Sequence, residues 1–536
     1  VEAGNIGDGS MALTVSSSAS WLSAALGAQR ACSTMPAAQC FPINLTLNTG
    51  SLPQGLTTAV VTIGASSSTI DAPQTLTVTV QMGGPLPKGV DVTIGQGKTS
   101  DIKFYTNKYL FANQTTSGAN WVSVVLDGVG SFQFGVPYHL HIAPDANMAL
   151  STYTTSVSLG GSSDSIDNAK IPVTMHVTDQ PVAVSLVDSV QKRLAQSAPP
   201  ILGSVTLNNI GLGTLSVSAV KVNNAAWLTA TPSGAGAILT YDVTGLSPGT
   251  YTGSITLTSN SVTPVPDIPV FLTVVQKGAP VISFNGVVDN AIFGAGDALT
   301  SGDIGVVLGE QLSYATSSGA TTAVGPVTSG PAPPLATTVA GTQVLVNGSP
   351  APLYYVSYGQ VAFQLPFGLT PLTDAYVQVI RDGQPSNTVS MHIAARAPRV
   401  LLVGVGAYGA IVNQDGSLPM PTGSFPGVNT HPAQAGDTLT IYAIGLGDTI
   451  PGVVAGNPAP SSEPLSRLVG TPTVNFYLDG QIAVSVQPLF AGLTPTYAGL
   501  YQVNVTIPPD APKGSNVNVT LVFNDAASYA AQIAIQ

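Results

Sequence analysis

The sequence predicts an all-β protein, a tandem array of about five Ig-like β-sandwich domains, and three observations carry that expectation. The chain has three tryptophans in 536 residues, each in one short phrase: Ala19-Ser20-Trp21-Leu22-Ser23, Ala119-Asn120-Trp121-Val122-Ser123 and Ala225-Ala226-Trp227-Leu228-Thr229. Spacings of 100 and 106 residues between the rings indicate one module copied three times, each copy anchoring its core on the same side chain. Downstream of every tryptophan come segments of alternating polarity rich in Thr, Val and Ile, the pattern of half-buried antiparallel strands. Composition agrees. The chain has 57 Gly, 42 Pro and 8% charged residues, against about 25% charged in an average soluble protein, which suits short strands, many turns and hydroxyl-bearing surfaces.

Taken in order, the first module (residues 1–84) has one strand before its tryptophan, at 11–15, and two later ones at 52–63 and 73–80. The second (85–180) has matching segments at 150–159 and 171–177, and the third (181–278) at 246–258 and 267–275. Boundaries fall at 83–87, 180–181 and 277–280, where proline ends strand pairing and stiffens the connection. From residue 280 the phrases change and a second repeat begins. Residues 344–366, with the turn Asn347-Gly348, are echoed by 474–480, with Asp479-Gly480, and by 500–508. Each half runs from a strand through a hairpin turn to a strand ended by Pro366 or Pro508. Matching strands at 302–309 and 436–445 complete the expectation of two further sandwiches, 279–397 and 398–536.

The first three copies resemble the BACON family, carbohydrate-binding-often-N-terminal modules of secreted bacterial proteins. The resemblance rests on the Trp-Leu phrase and on the 246–257 stretch with its Gly249-Thr250-Tyr251-Thr252-Gly253-Ser254-Ile255 centre. It implies an Ig-like sandwich and carries no defined sugar-binding residues. The second half resembles the uncharacterised C-terminal domain of Solibacter and related acidobacterial secreted proteins. The phrases that carry this are 347–357, Gly359-Gln360 with 363–366, 413–418, 442–447, 464–467 and 499–505. That resemblance implies secretion and tandem Ig-like folds, and no activity.

Several function classes are disfavoured. Thr, Ser, Gly or Pro interrupts every apolar run well short of about 18 residues, so no helix is expected to span a bilayer. A net charge of −11 with 15 scattered basic residues leaves no electrostatic footprint for nucleic acid. There is no Gly-x-Ser-x-Gly elbow, His-Glu-x-x-His, phosphate loop or EF-hand series, so no catalytic residue, cofactor or metal site is expected and the chain reads as non-enzymatic. His139 and His141 lie two apart on an expected strand, share a face and could ligate a metal, but no Cys or carboxylate cluster accompanies them within the same module, and a solvated strand face is the preferred reading. Residues 413–417 are expected to form a hairpin turn rather than a calcium loop.

Three features bear on binding. Cys32 and Cys40 suit a local disulfide of an oxidising compartment, worth roughly 2–3 kcal/mol by loop-closure entropy; two free thiols are the alternative. The chain starts at Val1 rather than Met, as expected of a mature secreted form or a trimmed chain. Phe104, Tyr105, Tyr109 and Phe111 form the most aromatic patch and are the candidate glycan contacts, whereas Trp21, Trp121 and Trp227 are expected to fill cores. Asn44, Asn113, Asn504 and Asn518 each begin an Asn-x-Thr sequon.

The copies differ most before their tryptophans. The third has room for strands at 182–186, 202–207 and 215–220, while the first has only 11–15. At least one strand of the first sandwich is expected to be missing, which exposes backbone groups that another chain can pair; an edge simply covered by residues 1–10 is the alternative. Val1, Met11, Leu13 and Val15 are the candidate assembly residues. The sequence therefore points to a secreted, extracellular or cell-surface structural subunit that self-associates head to tail into a filament or surface assembly. A carbohydrate-binding adhesin is the second reading.

Overall fold

The computed structural model describes residues 1–5, 11–33, 39–52, 55–65, 73–82, 86–115, 119–128, 135–316, 326–329, 333–404, 406–425 and 427–536. Apart from a single 3-10 turn at Ser165–Asp167, every regular element among them is a strand, and no helix is long and apolar enough to cross a membrane. The all-β tandem architecture stands as the sequence predicts. Two compact units carry the strands from Glu2 to Val275 and from Val281 to Ile535.

In the first unit, the opening sandwich has β1 (Glu2–Gly4), β2 (Leu13–Ser17), β3 (Leu22–Leu26), β4 (Arg30–Ala31), β5 (Gln39–Leu47), β6 (Gly55–Ala65) and β7 (Gln74–Met82). The next has β8 (Val90–Gly95), β9 (Ser100–Thr106), β10 (Ala112–Thr115), β11 (Val122–Leu126), β12 (Val136–Ile142), β13 (Thr152–Gly160) and β14 (Ala169–Thr178). The third has β15 (Ala183–Ser185), β16 (Val190–Ala195), β17 (Ile201–Asn209), β18 (Val217–Asn223), β19 (Leu228–Ser233), β20 (Gly236–Tyr241), β21 (Gly249–Ser259) and β22 (Ile268–Val275).

The sheet orders reveal what the copies share. The second sandwich stacks β10-β13-β14-β8 on β11-β12-β9, and the third stacks β16-β22-β21-β18 on β15-β17-β20-β19. In both, the opening long strand runs parallel to the closing one: Val90–Gly95 beside Val173–Thr178, and Val190–Ala195 beside Val270–Val275. The repeated tryptophan serves one backbone purpose throughout. Its carbonyl accepts the N–H of Asn48, Ala143 or Asp242, at 2.7, 2.8 and 2.9 Å for Trp21, Trp121 and Trp227, and so ties the strand after it to β5, β12 or β20. Trp121 and Trp227 are buried, the latter stacked on Tyr241 with centroids 6.2 Å apart, as expected of core anchors. Trp21 is only half-buried.

Between the second and third sandwiches two backbones touch. The Gly95 N–H donates to the Ile210 carbonyl at 2.8 Å, and a side chain at Gly95 would stand 2.8 Å from the Gly211 carbonyl carbon. Glycine is required there for close approach rather than for a turn.

The second unit holds two larger sandwiches. In one, Ile304–Glu310 pairs with Gln360–Gln364 while Thr342–Val346 and Thr373–Arg381 build the facing sheet; Val307, Phe363, Val344 and Val377 share its core. In the other, Thr438–Ile444 pairs with Tyr501–Thr506, and Thr473–Leu478 with Gly514–Val522, around Ile441, Phe476, Val503 and Val519. Asn347-Gly348 and Asp479-Gly480 turn the expected hairpins, with φ of 49° and 79°, and of 52° and 77°, the left-handed pair that a two-residue turn demands. Asp303 is fully buried beside Ile304–Glu310. One of its oxygens accepts the Ile304 N–H at 2.8 Å and the other has no hydrogen-bond partner among the described residues. Burial drives its carboxyl up to about 8.

Candidate functional site

Two places could bind something: the edge of the first sandwich and one outer sheet face of the second.

The first sandwich pairs β2-β6-β7 in one sheet and β1-β5-β3, with β4, in the other. Comparison with its siblings identifies what is reduced. β2 pairs with β6 as β18 pairs with β21, and β7 closes the sheet as β14 and β22 do. Among the described residues no strand lies along the other side of β7, where β8 and β16 run in the siblings. The nine-residue β17 also has only a three-residue counterpart, β1, paired through Glu2↔Pro42 to Gly4↔Cys40. The core of this sandwich is small among the described residues. Leu22, Ala59 and Val61 are the buried members of its cluster among the described residues, with Trp21, Leu45, Leu47, Ile63, Leu76 and Val78 half-covered around them. The second sandwich, by contrast, draws buried side chains from β8, β9, β11, β12, β13 and β14.

The expected assembly residues lie elsewhere than on this edge. Leu13 and Val15 lie in β2, already paired with β6, Met11 precedes that strand half-buried, and Val1 is exposed with its carbonyl accepting the Ile43 N–H at 2.7 Å. Among the described residues no strand pairs with the outer side of β7 along Thr75–Val80. Cys32 and Cys40 form the expected disulfide, and its loop fastens β1: the Glu2 carboxylate accepts from Ser33 N and Oγ at 2.9 and 2.6 Å and pairs with Arg30. Those bonds hold Glu2 below the usual carboxylate range.

The aromatic patch of the second sandwich divides. Phe104 is 1% exposed and stacks on Tyr138, so it is a core residue and not a glycan contact. The reason is strand alternation: β9 extends through 104 and 105 and sends the two rings to opposite faces. Tyr109 packs half-buried against that core. Tyr105 and Phe111 remain exposed, at 46% and 83%.

Tyr105 stands on the outer face of the β11-β12-β9 sheet, where the sequence reading also needs correction. Carboxylates do accompany His139 and His141. Register sets Asp101 of β9 opposite His141 and Lys103 opposite His139. Asp101 Oδ1 lies 2.7 Å from His141 Nδ1 and 3.6 Å from His139 Nε2, and Asp127 bonds His139 Nδ1 from beyond β11. No sequence signal separates Asp101 from other strand-borne aspartates; only the β9–β12 register brings it here.

The other histidines also face aspartates: His176 with Asp91, His392 with Asp374 and His431 with Asp415, at 2.9, 3.1 and 3.0 Å. The last shares Ser417, whose Oγ is 2.8 Å from His431 Nε2. This is not a nucleophilic triad, because Asp415 bonds the same Nε2, while Nδ1 faces the Pro432 carbonyl at 2.9 Å; a triad needs the acid on the opposite nitrogen. The 413–417 segment is a turn, closed by Gly416 N to Asn413 O at 3.0 Å.

No protein-family model matches the chain, and no curated protein does. Among solved structures it is similar to protocadherin gamma B2 extracellular cadherin domains 1–5, at 12% identity over 95% of this chain and 89% of that one, TM-score 0.16. The human desmocollin-1 ectodomain is similar at 8% identity over 98% and 93%, TM-score 0.16. An endo-fucoidan hydrolase of glycoside hydrolase family 107 matches at 14% identity over 34% of this chain, which spans about a third (32%) of that one, TM-score 0.16. At such scores the overlays carry no argument about activity or partners.

Proposed function

We propose that this chain is a non-enzymatic structural subunit of an extracellular assembly, joined head to tail when a strand from a second copy pairs with β7 in the place that β8 and β16 fill in the sibling sandwiches. The observation that carries this reading is in the first sandwich, where among the described residues no strand pairs with the outer side of β7 and the core is half-covered. A bare edge beside a half-covered core is a template for β-augmentation. A disulfide in the same module fits an oxidising, extracellular compartment, and a low-charge surface suits extensive subunit contacts. The occupant is defined by its siblings: a parallel strand alternating apolar and polar residues, like Val90–Gly95.

Negative-stain microscopy and sedimentation of the full chain test this. Concentration-dependent polymers are expected, and lysines at exposed Thr77 and Thr79 (T77K/T79K) should abolish them while leaving the melting profile intact, since edge lysines block strand addition. A chain that stays monomeric at high concentration, or a lysine variant that polymerises normally, sinks the reading.

A further inference from the structure

We propose that Asp101, His139 and His141 form a binding site for one borderline divalent transition-metal ion, of which Zn²⁺ is the tetrahedral case. Strand geometry assembles the donors. His139 and His141 are two apart on β12 and share its outer face, and β9 sets Asp101 directly across from His141. The ligand atoms of the three all lie within 4.8 Å of one another. Three donors on a tetrahedral ion with bonds of about 2.0–2.1 Å stand about 3.3 Å apart, and Asp101 Oδ1 is already 2.7 and 3.6 Å from the two imidazole nitrogens.

A second, independent feature points the same way. Asp127 bonds His139 Nδ1, which fixes that tautomer with Nε2 left as the lone-pair nitrogen directed at Asp101. A carboxylate behind a ligating imidazole is the usual support of a zinc-bound histidine. Two imidazoles and one carboxylate favour Zn²⁺, Co²⁺, Ni²⁺ or Cu²⁺ over Ca²⁺ or Mg²⁺, which take oxygen ligands. The remaining position faces solvent, since Asp101 and His141 side chains are 50% and 37% exposed. Lys103, opposite His139, opposes the ion's charge.

The test is titration of the full chain with Co²⁺, followed by its visible absorption and by Zn²⁺ competition, with calorimetry for stoichiometry. One ion per chain is expected. His141→Gln and Asp101→Asn should weaken it at least 100-fold, Asp127→Asn 10- to 100-fold as a positioning residue, and Lys103→Ala should strengthen it. His176→Gln, which alters a His–Asp pair on another sheet, should leave it unchanged. Thermal melts check folding and give a second readout: Zn²⁺ should raise the wild-type midpoint and not that of His141→Gln. No binding by the wild type at millimolar Zn²⁺, or undiminished binding by a folded His139→Gln/His141→Gln double variant, overturns the proposal.

Discussion

Asp303 is governed by its burial. Buried with one oxygen unpartnered, its carboxyl rises from the ordinary 3.8 to about 8, so between those values the folded chain keeps a proton that the unfolded chain has released. Stability is therefore greatest below about pH 4 as far as this group is concerned, and falls steadily as pH rises toward 8. Urea midpoints measured from pH 4 to pH 9 should show that decline, and Asp303→Asn should flatten it by removing the titration. At this scale the sequence was informative where local alternation decides and silent where register does. Trp121 and Trp227 are core rings as their repeated phrase implies. Phe104 and Tyr105 read as one patch until strand pairing sends them to opposite faces. Asp101 and His141 are 40 positions apart, and nothing local indicates that β9 and β12 will set them side by side.

Among elements, β7 differs from β14 and β22 in having a neighbour on one side only among the described residues. Half of the amides of Thr75–Val80 point toward β6 and half away. In native-state hydrogen exchange the outward set should exchange fast in dilute protein, the matching set in β14 and β22 slowly, and assembly should protect the outward set of β7. Uniform protection in the monomer would mean that the edge is already covered. The repeat of the module was legible from the three tryptophan phrases, each followed by a strand, β3, β11 or β19. Which side of which sheet stays bare was not, because strand order depends on long-range pairing. Residues 11–15 read as a strand, and Leu13–Ser17 form β2, paired with β6.

On the scale of the whole molecule, the first sandwich buries a smaller core cluster among the described residues than the second, fourth and fifth, so on the proposed reading self-association resides in the first. A chain beginning at residue 86 is expected to remain monomeric in sedimentation velocity at concentrations where the full chain polymerises; polymers from the shortened chain would place the contact elsewhere. The parallel pairing of β8 with β14 and β16 with β22 adds a constraint on any such polymer. Two copies related by a two-fold axis would set β7 against β7 antiparallel and stop at a closed dimer. A strand that must run in the same direction as β7 comes from a different part of its neighbour, so every junction points the same way. In a fibre joined this way one tip would display the bare edge and the other the donor strand, so the two tips would be chemically distinct.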